Sequence, residues 1–138
     1  MKNLFLLFFL TVVFLKAGFL HSEELEIGIS QGNIKPTPIA VTDFFAENLK
    51  SKKFGKDISN VISNNLERSG LFKIINKKSY IQDSESLNNQ PRFEDWKLIK
   101  AQHLVSGNII IKGDKIEVEF RLYDILTQKQ ITGKRYET

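Results

Sequence analysis

The order of apolar and polar positions divides the chain into an opening run and a longer patterned stretch. Residues 4–15 are apolar almost without a break, relieved only by Thr11. Lys2 precedes the run and Lys16 ends it, and Ala17, Gly18, His21 and Ser22 follow. A positive start, an apolar stretch of about a dozen residues and a small-residue exit form the secretory signal pattern. A membrane anchor would need about 20 apolar residues to cross the hydrocarbon core. The pattern therefore predicts a signal peptide over residues 1–22, cleaved after Ser22 to leave Glu23 as the new N-terminus. Ala17 is the second cleavage candidate.

Beyond the signal the periodicities change. Leu25, Ile27 and Ile29 alternate with Glu24, Glu26, Gly28 and Ser30. Period two is the mark of a half-buried strand. Gly32 and Asn33 read as a turn. Pro36 and Pro38 then flank Thr37, and the apolar run at Ile39, Ala40 and Val41 predicts a buried strand closed by Phe44 and Phe45.

Ile58, Val61, Ile62 and Leu66 fall on one stripe of a helical period. Asp57, just ahead of them, is the expected N-cap, and Gly70 the left-handed residue after the C-terminus. Residues 71–75 predict a strand, residues 83–92 a polar loop, and residues 93–100 a short helix with Phe93, Trp96 and either Leu98 or Ile99 inward. A strand over residues 103–111 leads to a hairpin tipped by Gly113-Asp114. Ile116, Val118, Phe120 and Leu122 alternate with Glu117, Glu119 and Arg121 on the return strand. A turn at residues 127–129 and a last strand over residues 130–136 complete an antiparallel meander with one polar face. The fold expected is α/β (α+β): a mixed sheet of about five to six strands packed by two helices. Leu66, Phe72, Trp96, Val105 and Phe120 are its expected core. The last strand runs toward the C-terminus without a polar tail, so the chain is expected to be a fragment.

Composition narrows the function. The formal charge of +4 falls to +2 once Lys2 and Lys16 leave with the signal. Lysines and glutamates are interspersed, without the basic stripe and interleaved aromatics of a nucleic-acid binder. The absence of cysteine excludes a lipidated N-terminal cysteine, disulfides, thiol nucleophiles and most structural zinc sites. His103 is the single histidine after the signal, expected as a partly buried edge residue at a strand start. No glycine-rich phosphate loop is present. Glu117 and Glu119 could mimic an acid/base pair but read more simply as a solvated strand face. No catalytic residue, cofactor or metal site is therefore expected, and Trp96 is read as core.

The order of these segments resembles the N-terminal part of the TolB family, periplasmic proteins of the Tol-Pal system in Gram-negative bacteria. Five stretches carry the resemblance: residues 25–32; the proline-flanked residues 36–44; residues 62–72 with their Ser69-Gly70-Leu71-Phe72 exit; Asp95-Trp96 followed by residues 104–107; and residues 118–124 with Gln130, Gly133 and Tyr136. Two positions depart from the family pattern. Asn65 stands where the family often has Asp. Lys100 stands where it often has Gly, and a lysine there must take a positive φ or let the helix end differently.

The resemblance implies a domain over residues 23–138 that a C-terminal β-propeller would follow in the family. It also implies a non-enzymatic, protein-binding adaptor in the periplasm that supports outer-membrane integrity, cell division and the import of some toxins. Pal would be bound by the propeller, and TolA by the mature N-terminus. On this chain that N-terminus is Glu23, Glu24, Leu25, Glu26, Ile27, Gly28, Ile29, Ser30, Gln31, Gly32 and Asn33. Such a segment can pair with a sheet edge and, being terminal, detach cheaply; it could equally be an edge strand of its own sheet. Other exported α/β envelope modules, CsgG-like or FlgO-like, share the proline-flanked strand, helix and hairpin, although the CsgG type usually carries a lipid-anchored cysteine. A small-ligand-binding periplasmic domain is the remaining alternative. The family's α/β domain also resembles anticodon-binding domains, but export argues against a nucleic-acid role and a fold alone does not confer one.

Overall fold

A computed structural model of the chain describes residues 35–88 and 90–138. The expected signal peptide, the strand over residues 24–30 and its turn lie outside the described residues. Those described form a five-stranded mixed sheet with two α-helices, the fold class read from the sequence.

Strand β1 (Thr37–Val41) sits between β2 (Phe72–Ile74) and β3 (His103–Lys112), parallel to both. β3 continues antiparallel into β4 (Lys115–Asp124) and then β5 (Lys129–Glu137), giving the order β2-β1-β3-β4-β5. The expected meander is present. Gly113 at its first tip has φ +60°, as a tight hairpin turn requires of its first central residue.

Helix α1 spans Leu49–Arg68 and connects β1 to β2. It starts well before the apolar stripe, because its first half faces the sheet with small residues: Ser51, Gly55 and Ser59 are its buried positions. A Cβ on Gly55 would meet the Phe44 carbonyl oxygen at 2.3 Å, so the helix backbone lies directly on the segment after β1. The N-cap is Asn48, whose Oδ1 accepts from the Ser51 amide at 2.8 Å; Asp57 lies inside the helix and caps nothing. Ile58, Ile62 and Leu66 pack on the sheet as the stripe predicts, whereas Val61 points outward and is 58% exposed. Gly70 ends the helix at φ +72°, as expected.

Helix α2 (Phe93–Leu98) is shorter than its predicted span. Trp96 is buried and Ile99 packs beside it, while Leu98 faces solvent. Lys100 takes the positive φ, +62°, that a glycine would adopt without strain. The polar loop ahead of α2 contributes more to the fold than its composition suggests. It contains a 3-10 turn at Ser86–Asn88, and both Leu87 within it and Gln82 just ahead of it are buried.

The sheet separates two cores. On the α1 side Ile39, Val41, Phe44, Val105 and Ile109 are buried; on the α2 side Ala40, Leu87, Trp96, Leu104 and Ile125 are. Trp96 and Val105 are core as expected. Leu66, Phe72 and Phe120 are only half-buried on the margin of the α1-side core. One helix per face explains the difference. A helix about 10 Å across covers about two strands spaced about 4.8 Å apart. α1 packs chiefly on β1, β2 and β3, so no helix among the described residues covers the same face of β4 and β5.

Candidate functional site: the groove beside α1

The TolA-binding stretch read from the sequence, residues 23–33, lies outside the described residues. Two features of the described domain invite a functional reading. The first is the uncovered part of the α1 face. A cavity of about 560 Å³ runs between the C-terminal half of α1 and the β4–β5 ribbon. Ile62 and Leu66 form one wall, Phe72 and Thr37 close one end, and Phe120, Leu122 and Ile131 form the far side. Strand alternation puts these side chains there: Val105, Phe120 and Leu122 point to the face that α1 covers only in part. Ile131 at the rim is 53% exposed.

His103 lines this groove. It lies at the start of β3, which is a central strand between β1 and β4 rather than the sheet edge the sequence suggested. Its ring meets Phe72 edge-on at 6.5 Å, and its buried Nδ1 has no hydrogen-bond partner among the described residues. Asp124 lies across the ladder from His103, but among the described residues no carboxylate or nucleophile hydrogen-bonds the ring, so the relay that general-base chemistry uses is not formed there. The groove is suited to seating apolar side chains.

The second feature is a polar knot at the carboxyl end of β1. Ser59 Oγ donates to Asp43 Oδ1 at 2.8 Å, and the Lys77 ammonium contacts the same carboxylate and lies 3.0 Å from Ser59 Oγ. Burial alone would raise the Asp43 pKa, but hydrogen bonds from Lys77 and Ser59 outweigh it and hold the carboxyl below its ordinary value. Serine beside lysine can be a nucleophilic pair. Here the hydroxyl is fully buried and faces a carboxylate, so the knot ties the loop after β1 to α1 and to the turn after β2. Among the described residues no group of three or more His, Cys, Asp or Glu side chains is placed to hold a metal.

Glu117 and Glu119 share the α2-side face of β4, as their alternation predicts, but they are not simply solvated. Glu119 is 15% exposed and pairs with Arg135 at 3.0 Å. Its carboxyl also accepts from Arg121 Nε at 2.8 Å, and Glu117 pairs with Arg135 at 3.1 Å. Arg135, with Arg121 behind it, holds the Glu119 carboxyl below its usual range. Both carboxylates are occupied by guanidinium groups, an arrangement that braces β4 against β5. The groove itself was not read from the sequence. Its signal was the count of apolar alternations on β4, more than one helix can cover.

Comparison with known proteins agrees with the order of segments. The family model described as the TolB amino-terminal domain matches residues 25–131. A Tol-Pal system protein TolB from Paramagnetospirillum magneticum (strain ATCC 700264 / AMB-1) is 47% identical over 111 residues, covering 80% of this chain and 25% of that protein. The chain thus spans about a quarter of the length of this curated relative. Among solved structures, TolB from Acinetobacter baumannii superposes with a TM-score of 0.58 at 24% identity, over 73% of this chain and 23% of that one. A lipoprotein from Neisseria meningitidis gives the same TM-score, 0.58, at 9% identity, over 75% of this chain and 80% of that one. At these identities the two structures share the fold.

Proposed function

Because the chain belongs to the TolB amino-terminal domain family, we propose that it is a non-enzymatic, protein-binding adaptor of the Tol-Pal system in the periplasm, and that residues 23–33 engage TolA. In this reading residues 1–22 direct export and are removed, and the α/β domain carries the binding segment at its mature N-terminus. Outer-membrane integrity and cell division are the processes such an adaptor serves. Pal binding belongs to the propeller that follows this domain in the family.

The observation that carries the reading is the family match, which runs from residue 25 through the alternating segment and across the sheet. A terminal segment can detach from its domain cheaply and pair with a partner strand. Leu25, Ile27 and Ile29 would present one apolar face while their backbone pairs with TolA by β-augmentation.

The test is a titration of the TolA C-terminal domain against the intact protein, a variant lacking residues 23–33, and Ile27→Pro, with circular dichroism on each. Proline removes a ladder donor and fits poorly within a paired strand. Loss of binding with the fold retained in both variants is the expected result. Equal binding by all three removes the segment from the interface, and unfolding of the deletion variant makes it a structural strand.

A further inference from the structure

β5 is one margin of the sheet, and among the described residues no strand pairs with its outer edge. All nine of its residues are exposed. An edge of this length, unpaired among the described residues, offers a row of N–H and C=O groups, which natural proteins guard with proline, a bulge or charged side chains, lysine above all. β5 has no proline, the irregularity in its pairing lies at one end, opposite Leu122 and Tyr123, and its charges are Lys129, Lys134, Arg135 and Glu137.

The register sets what the edge displays on the α1 side. Lys129 lies across from Asp124, Thr132 from Leu122, Lys134 from Phe120 and Tyr136 from Val118. These β5 residues therefore share a face with the groove, whose rim carries Ile131. The Tyr136 ring stacks on Phe120 at 6.3 Å, an interplanar angle of 15°, and remains 55% exposed. Along this face Lys129 and Lys134 are separated by Ile131 and Thr132, and Tyr136 follows. Arg135, on the opposite face, is held by Glu117 and Glu119. Among the described residues no carboxylate forms an ion pair with Lys129 or Lys134.

We propose that the outer edge of β5, with the groove behind it, is a docking site for an extended protein segment whose α1-facing side chains alternate carboxylate and aliphatic. Backbone pairing would add a sixth strand. The carboxylates would meet Lys129 and Lys134, and the aliphatic side chains would continue the apolar surface of Ile131, Phe120 and Tyr136. The residues that meet the segment lie on β4 and β5 and the test involves no TolA, so its failure and the failure of the TolA reading are distinguishable.

The probe is a fluorescein-labelled, C-terminally amidated peptide, Glu-Thr-Val-Thr-Glu-Thr-Val, titrated by anisotropy against the purified chain. Two controls accompany it: the same peptide with lysine at both glutamates, and the same peptide N-methylated on alternate amides. Saturable binding of the acidic peptide is expected, weakened roughly tenfold by the lysine exchange and lost on N-methylation. The double variant Lys129→Glu, Lys134→Glu changes only exposed side chains and should reverse the preference toward the lysine peptide. Equal binding of both peptides, or of neither, overturns the proposal. Dimerisation of the chain in sedimentation, weakened by the same double variant and without peptide binding, also overturns it by assigning the edge to a second copy.

Discussion

Gln82 joins the loop before α2 to the core beneath it. Its Oε1 accepts from Trp96 Nε1 at 3.0 Å and from the Arg92 amide at 2.8 Å, and its side-chain amide donates to the Gln90 carbonyl at 3.2 Å. Gln82→Ala leaves the buried indole N–H without a partner, so urea denaturation should show a loss of about 1–3 kcal/mol. This role was not legible, because a polar residue in a polar loop carries no period and its partner is distant in sequence. Lys100 is the contrasting case. The comparison with glycine pointed to a positive φ there, and the structure adopts it. Lys100→Gly should therefore raise stability by about 0.5–1 kcal/mol in the same assay.

Glu119 makes the acid limb of stability testable. Hydrogen bonding from Arg135 and then Arg121 holds its carboxyl below the ordinary value in the folded state. A depressed carboxylate stabilises the fold fully above its unfolded pKa, about 4.3, and that contribution is lost as pH falls through the lower folded value. Glu119→Gln should therefore flatten the decline in stability below about pH 4.3, measured by denaturation at several pH values. An unchanged acid limb would show that the carboxylate is not coupled to folding.

At the scale of elements, the strands were the most legible. Period-two alternation in β4 and the Gly113-Asp114 tip located the hairpin, and β3 was read from the stretch that leads into it. The first half of α1 was not legible, because it seats small residues rather than an apolar stripe against the sheet. Gly55 is its closest approach. Gly55→Ala places a methyl against the Phe44 carbonyl oxygen, and since backbone must move to make room, the expected cost is about 1–3 kcal/mol. Leu66 lies at the other end of α1, half-buried on the groove wall. Leu66→Ala should cost about 1–2 kcal/mol, less than the roughly 2–5 kcal/mol of a fully enclosed leucine. A value at the upper end of that range would mean that something covers the groove in solution.

At the scale of the whole molecule, the fold class could be read from alternation and turn chemistry, whereas the open α1-side face could not. Periodicity tells which side of a strand is apolar but not whether a partner element is wide enough to cover it. Among the described residues, that shortfall in coverage leaves the groove and an unpaired β5 edge. The division of labour proposed for the family makes a further prediction: residues 23–138 alone should show little affinity for Pal in calorimetry, and tight binding would move the Pal surface into this domain. The central claim is that residues 23–33 contact TolA while the sheet does not. Its most direct test is a two-dimensional amide spectrum of isotopically labelled residues 23–138, recorded while the unlabelled TolA C-terminal domain is added. Large shifts confined to residues 23–33, with amides of β1, β3 and β4 unmoved, are the predicted result. Shifts centred on the sheet or on α1, with residues 23–33 unchanged, would contradict it.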